Sequence, residues 1–195
     1  MLTVEELIAF EADIAAEFNA GNIRAPIHLD GGNEQQLIEI FQEVSPDDWV
    51  CCSWRSHYKA LLAGIPPSEV KAEIMAGRSI ALCFPQHRFI SSAIVGGILP
   101  IALGIAWSIK RNAGKEHVYC FIGDMTARAG MFNECTRYAA GFQLPITFVI
   151  EDNMKSVCTD TDKAWGLVGV PLPIVYVYQY TLPFPHSGAG VRVNF

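Results

Sequence analysis

The chain has 195 residues, of which 14 are Lys or Arg and 20 are Asp or Glu, so its formal net charge is -6 at pH 7. An acidic chain without a cluster of Lys and Arg is poorly suited to nucleic acid, whose phosphates require concentrated positive charge. The length suits one domain with a substantial core, and we expect residues 1–195 to form a single domain.

The first part of the chain is predicted to be mainly helical. Apolar residues at helical spacing predict an amphipathic helix over residues 3–20 and another over 34–44, with a Gly- and Pro-containing loop over 23–33 between them. Residues 49–53 form a short apolar run that favours a strand. Two prolines then begin a helix over 66–75, where their fixed φ fits the first turn.

An uncharged stretch of 21 residues, 89–109, meets the length criterion for a membrane span. Small residues and a proline interrupt it, namely Ser91, Ser92, Gly96, Gly97, Pro100 and Gly104. We interpret the stretch as a loop followed by a small-residue helix that is buried at an interface, because small residues allow close approach of backbones. No membrane span is therefore expected.

Two strands with a helix between them follow. The β-favouring run 117–122 ends at Gly123-Asp124, residues 130–142 have a helical pattern, and the apolar run 146–150 ends at Glu151-Asp152-Asn153. Strand, helix and strand of these lengths form a right-handed βαβ unit. The two polar clusters should therefore meet at one edge of a parallel sheet, where such sheets bind ligands.

A further strand is predicted over residues 174–180, before a tail that contains Gly and Pro. The order of elements predicts an α/β fold with a central, mostly parallel sheet and helices on both faces.

The side chains at the two strand ends suggest a cation site. Asp124 and Asn153 are 29 positions apart, and each offers one hard oxygen ligand. A pair of this kind suits Mg²⁺ that also takes phosphate oxygens and water. The loop 125–130 leads into a helix N-terminus, which favours anionic phosphate.

The six cysteines form no C-x-x-C pair, and no histidine stands at zinc-finger spacing from them. We interpret them as reduced core residues, as is typical of a cytoplasmic protein. Residues 1–6 also lack the basic flank and apolar run of a signal peptide. A cytoplasmic location is therefore predicted.

Around the two clusters the sequence resembles the thiamin diphosphate motif, in which Gly-Asp-Gly is followed by a helix, a strand and Asn. The matching residues are Gly123-Asp124-Met125, Gly130, Glu134, Ala139-Ala140, Leu144-Pro145 and Glu151-Asp152-Asn153. More narrowly, the chain is similar to the alpha subunit of the first, decarboxylating component of 2-oxo acid dehydrogenase complexes. Segments 28–34, 54–57 and 93–96 resemble further motifs of that family, so that the resemblance covers roughly residues 1–157.

The resemblance implies thiamin diphosphate and Mg²⁺ as cofactors. It implies that the side chains of Asp124 and Asn153 bind Mg²⁺ together with the backbone carbonyl of Lys155. Besides these three, the implied contacts of thiamin diphosphate are Trp54, Arg55, Ala93, Val95, Gly123, Met125 and Thr126. Met125 replaces the second glycine of the motif, so either the turn there does not need a positive φ or the loop is shifted.

Within this group, the resemblance implies that Arg55 meets the diphosphate and that Ala93 and Val95 bracket the aminopyrimidine. Two histidines are the catalytic candidates. His57 would face the substrate, and His186 would stand in for a phosphate-contacting histidine of the family.

In the family, the glutamate that activates the cofactor belongs to a pyrimidine-binding domain, and the 195 residues contain no second sheet domain to supply it. The resemblance therefore implies a separate beta-type subunit in an α2β2 assembly. The leading hypothesis is decarboxylation of a 2-oxo acid with acyl or aldehyde transfer, with a lipoyl acyltransferase as a candidate partner. The alternatives are a split transketolase-like or carboligase half that transfers a two-carbon or acyl unit, for example from a ketose, to an aldehyde, and a non-catalytic assembly subunit.

Overall fold

The computed structural model describes residues 2–165, 175–188, 190 and 192–195. In chain order its strands are β1 (Trp49–Ser53), β2 (Cys83–Phe84), β3 (Phe89–Ser92), β4 (Val118–Gly123), β5 (Ile146–Asp152), β6 (Lys155–Ser156), β7 (Thr159–Asp160) and β8 (Val175–Gln179). Six of them form the central sheet in the order β2-β3-β1-β4-β5-β8. Only the β2–β3 pair is antiparallel among the described pairings of this sheet.

Eight α-helices lie in the described part of the chain. They are α1 (Val4–Asn19), α2 (Glu34–Phe41), α3 (His57–Leu62), α4 (Pro67–Met75), α5 (Ile98–Arg111), α6 (Asp124–Ala127), α7 (Gly130–Gly141) and α8 (Thr161–Trp165). The predicted fold class is confirmed, since a mostly parallel sheet has helices on both faces. Helices α3, α6 and α8 were not predicted, because each is too short to show a helical period.

The predicted helices and strands are observed with different ends, but β2, β6 and β7 were not predicted, and residues 89–92, predicted as loop, form β3. The second helix ends at Phe41 rather than at residue 44, and the predicted strand 174–180 is observed as β8, with Ile174 outside the described residues. At the start of α1 the Thr3 hydroxyl accepts from the backbone N–H of Glu6, and the Glu6 carboxylate accepts from the backbone N–H of Thr3. This capping box fixes where the first helix begins.

Alternation of side chains along the strands divides the apolar core between the two faces of the sheet. Phe121 and Val149 pack against α1 to α4, whereas Ile122 and Phe148 pack against α5 and α7. The adjacent Cys51 and Cys52 belong to opposite faces for the same reason, as adjacent strand residues must. All six cysteines are free, and two of them, Cys83 and Cys158, are exposed.

The uncharged stretch 89–109 becomes strand β3, a turn and most of helix α5. Helix α5 packs its Leu99, Ala102 and Ala106 face on the sheet, while Ile101 and the preceding Ile94 remain exposed. No helix among the described residues has the length and apolar character needed to cross a bilayer.

The predicted meeting of the polar clusters at one sheet edge is observed. Strands β4 and β5 are parallel neighbours, and Gly123 lies opposite Glu151 in their register. The segment after Gly123 differs from the expected loop, because the one-turn helix α6 begins directly at Asp124. The extended backbone of Gly123, with φ -77° and ψ 160°, makes this abrupt change of direction.

Candidate functional site

A cavity of about 130 Å³ lies at the carboxyl ends of β1, β4 and β5. Its lining residues are Ser53, Trp54, Arg55, Val95, Gly123, Asp124, Met125, Thr126, Glu151, Asn153, Lys155, Ser156, Val157, Tyr180 and His186. Ten of the twelve residues that the resemblance nominated are in this wall. The other two are Ala93, which is exposed two residues before Val95, and His57.

A larger cavity of about 620 Å³ lies apart from this one, between α1, Gly31-Gly32 and the aromatic rings of Phe184 and Phe195. Its wall is mainly apolar and contains none of the nominated residues. We therefore take the smaller cavity as the candidate site, because the polar strand ends converge there.

Asp124 is the carboxylate of the cavity wall. It is the first residue of α6, is buried, and accepts a hydrogen bond from the hydroxyl of Thr161. Burial raises the pKa of Asp124, and the bond from Thr161 offsets only part of this effect. A carboxylate whose charge is disfavoured by its surroundings is well placed to gain from a bound cation.

Met125 occupies the second position of α6 and therefore has right-handed helical backbone. The turn does not require a positive φ at this position, which decides between the two interpretations of the missing glycine. Met125 and Thr126 line the cavity from this short helix.

A small hairpin, β6–β7, contributes Lys155, Ser156 and Val157 to the cavity wall. Asn153 precedes it, and the Asn153 Oδ1 atom accepts from the backbone N–H of Lys155 at 3.0 Å. The Nζ of Lys155 pairs with Asp160 across the hairpin. Met154 and Val157 have left-handed backbone, with φ of 57° and 60°, which is strained for residues with a Cβ. Such strain beside a cavity suggests a functional constraint on the hairpin.

The remaining wall is cationic and aromatic. Arg55 donates from Nε to the carbonyl oxygen of Leu29 at 2.9 Å, and the His186 ring lies against the His28 ring, with 4.4 Å between centroids and 34° between planes. Burial and the nearby Arg55 charge lower the pKa of His28 to about 3 and also lower the pKa of His186. Both imidazoles are therefore neutral at pH 7. The sequence motif at residues 28–34 contained His28 but gave no reason to assign it to the site.

The sequence profile of the family described as "Dehydrogenase E1 component" matches residues 3–167. The chain belongs to the dehydrogenase E1 component family. Curated relatives are named pyruvate dehydrogenase E1 component subunit alpha. The protein from Porphyra purpurea is 29% identical over 165 residues, covering 76% of this chain and 48% of its own length. The one from Rickettsia bellii is 28% identical, covering 80% of this chain and 51% of its own.

The chain thus spans about half the length of these two curated relatives. A solved structure of a proposed thiamin diphosphate-dependent enzyme from Mycobacterium smegmatis gives a TM-score of 0.45 at 18% identity, over 66% of this chain and 23% of that one. This structural similarity is too weak to support a conclusion about the chain.

In this dehydrogenase E1 component chain, His57 does not face the cavity, and the expectation that it contacts substrate is corrected. It is fully buried at the start of α3, with Nδ1 2.9 Å from Glu11 Oε1 and Nε2 2.9 Å from Ser79 Oγ. Helix α3 directs this side chain towards α1, where it forms a hydrogen bond with the Glu11 carboxylate. The order Ser, His and carboxylate is that of a hydrolase triad, but the burial of all three side chains leaves no access for a substrate.

The pH dependence of stability follows from this buried pair. Burial alone would lower the pKa of His57, but the Glu11 charge and hydrogen bond outweigh it and raise the pKa; burial raises that of Glu11. The folded pair therefore retains a proton that the unfolded chain releases above about pH 6.5. The contribution of the His57–Glu11 pair to the free energy of unfolding is fully present below that pH. It is lost as the pH rises through the raised pKa of His57.

We expect the free energy of unfolding in urea to fall from pH 6.5 upwards, by at most about 1.4 kcal/mol per pH unit for one retained proton. The Glu11→Gln variant should show a flatter dependence, because it removes the charge that holds the proton. Equal slopes for the two proteins would contradict the assignment.

Proposed function

We propose that this chain holds the diphosphate and Mg²⁺ of thiamin diphosphate, and contributes that half of the active site to an enzyme that decarboxylates a 2-oxo acid. The observation that carries the proposal is the convergence of Asp124, Asn153 and Arg55 on one cavity at the carboxyl edge of the sheet. Family membership and the names of the curated relatives, which are pyruvate dehydrogenase subunits, support the same activity.

The donor set of the cavity fits a magnesium diphosphate. Asp124 and Asn153 offer a carboxylate and an amide oxygen, which Mg²⁺ accepts while it keeps phosphate oxygens and water. The described residues contain no group of three or more His, Cys, Asp or Glu that could hold a metal, so a cation here would depend on the diphosphate for further ligands. The guanidinium of Arg55 suits the phosphate oxygens.

A cavity of about 130 Å³ is smaller than the 300 Å³ or more that is usual for drug-sized ligands, so it suits only one end of thiamin diphosphate. We propose that residues 1–195 form a single diphosphate-binding domain and that a beta-type subunit in an α2β2 assembly receives the other end. Apolar side chains exposed beside the cavity support a partner surface there: Ile94 is 73%, Val95 51% and Met131 43% exposed.

The cofactor would supply the carbanion chemistry once a glutamate of the partner chain activates it. The residues of this chain would bind and orient it, with Asp124, Asn153 and the carbonyl of Lys155 on Mg²⁺ and Arg55 on the diphosphate. The neutral His186 could accept or donate a hydrogen bond to substrate at the rim. A lipoyl acyltransferase as acceptor and a cytoplasmic location stay predictions.

The test is calorimetric titration with thiamin diphosphate at fixed Mg²⁺, on this chain alone and on the chain purified together with the pyrimidine-domain subunit. We expect weak binding to the chain alone and much tighter binding to the pair, because the pair encloses the whole cofactor. The pair should also release CO₂ from 2-oxo acids in the presence of an electron acceptor. Absence of Mg²⁺-dependent binding in both samples would overturn the proposal, and turnover of ketoses alone would indicate the carboligase alternative.

A further inference from the structure

Buried polar side chains connect the wall of the cavity to the interior of the fold. Lys59 on α3 is fully buried, and its Nζ donates to Glu151 Oε1 at 2.8 Å and to Asp30 Oδ1 at 2.9 Å. The backbone N–H of Asp30 donates to Glu11 Oε1 at 2.9 Å. Burial alone would lower the pKa of Lys59, but the charges of Asp30 and Glu151 outweigh it and raise the pKa. The interior therefore holds a charged ammonium group.

Glu151 is the member of this group that reaches the cavity, where it lies in the wall with Asp124. Its Oε1 atom accepts from three donors, namely Lys59 Nζ at 2.8 Å, Tyr178 OH at 2.7 Å and Asn33 Nδ2 at 3.1 Å. Three donors on one oxygen, one of them charged, fix the orientation of the carboxylate.

Stability alone is a weak explanation for this arrangement. The desolvation of a buried ion pair cancels much of its attraction, and apolar replacements of such pairs are often neutral or stabilising. Lys59 and Glu151 are 92 positions apart in the sequence, so their contact joins α3 to the end of β5. The pair therefore connects the packing of the helical layer with the position of one carboxylate in the cavity.

We propose that Lys59 and Tyr178 are positioning residues. They hold the Glu151 carboxylate in the cavity wall as part of the binding site for magnesium diphosphate. A carboxylate is an acceptor-only group, which suits the water molecules that Mg²⁺ retains rather than the phosphate oxygens. Groups that hold metal-bound ligands in this indirect way commonly change metal affinity when they are removed. The inference rests on the proposed function for the identity of the bound group.

A double-mutant cycle tests the inference, with the dissociation constant for thiamin diphosphate at fixed Mg²⁺ as the readout. We expect Lys59→Met to weaken binding about tenfold, because Glu151 loses its charged donor. In a Glu151→Gln background the same substitution should have little further effect. Lys71→Met is the matched control, since Lys71 pairs with Asp13 and Glu17 on the surface. It should leave the affinity unchanged.

Tyr178→Phe is the second variant, because it removes a donor to Glu151 without creating a buried charge. It also removes an acceptor from the Asn33 amide, which keeps its bond to Glu151, so we expect the variant to fold. It should weaken binding by a smaller factor than Lys59→Met, and the effect should again vanish in the Glu151→Gln background. A crystal structure of either variant should show the Glu151 carboxylate displaced.

Undiminished affinity in both variants, equal effects in both backgrounds, or an unmoved Glu151 would overturn the inference. If the unmodified protein does not bind Mg²⁺ and thiamin diphosphate, with or without its partner, the proposed function fails instead. The crystal structures would still decide whether Lys59 and Tyr178 position Glu151.

Discussion

Replacement of Asp124 by alanine is expected to lower the Mg²⁺-dependent affinity for thiamin diphosphate at least about hundredfold, since even groups one step removed from a metal alter its affinity by 10–100-fold. Among the described residues, Asp124 is the only Asp or Glu besides Glu151 that lines the cavity, and it comes directly after β4. Titration of the variant at several Mg²⁺ concentrations measures the loss. An affinity within a few-fold of the unmodified protein would contradict the magnesium assignment.

The same substitution should leave stability nearly unchanged, which separates a binding defect from a folding defect. Burial raises the pKa of Asp124, so the fold disfavours its charge, and removal of the carboxylate offsets the loss of the hydrogen bond from Thr161. We expect the free energy of unfolding to change by no more than about 1 kcal/mol. Asp13→Ala is the control for binding, because Asp13 pairs with Lys71 on the surface and does not line the cavity.

Replacement of Gly32 by alanine is expected to lower the free energy of unfolding by about 3 kcal/mol, from a strained backbone and a steric clash together. Gly32 has φ +82°, and a Cβ there would be 2.2 Å from the carbonyl oxygen of Thr181. The clash is with backbone, so it can be relieved only if the loop at Gly32 or the segment that begins at Thr181 moves. That segment carries His186 into the cavity wall, and we expect weaker cofactor binding as well.

Gly64→Ala is the matched control for this substitution. Gly64 has nearly the same backbone, with φ +83°, but a Cβ there would meet nothing within 4 Å. Gly64→Ala should lower the free energy of unfolding by only about 1 kcal/mol, which is the strain of the left-handed conformation. The measurement is urea unfolding of the two variants beside the unmodified protein. Equal losses would show that contact with Thr181 does not constrain Gly32.

Departures from the expected site arise where a side chain's direction depends on a distant partner. His57 follows Trp54 and Arg55 closely in sequence, and those two do line the cavity. His57 instead points into the protein, because Glu11 on α1 and Ser79 lie beside it in the folded chain. Spacing within a motif cannot encode this direction, since the partners come from separate elements.

Local pattern by itself determined four strands of the sheet, the βαβ unit and the place of Asp124 and Asn153, because apolar runs, turn residues and crossover handedness are properties of short segments. Only the tertiary structure decided that Met125 sits in a helical turn and that the His28 ring contacts the His186 ring. It also decided that Lys59 holds Glu151 at the cavity. These contacts join residues far apart in the sequence, and burial among them sets which groups remain charged.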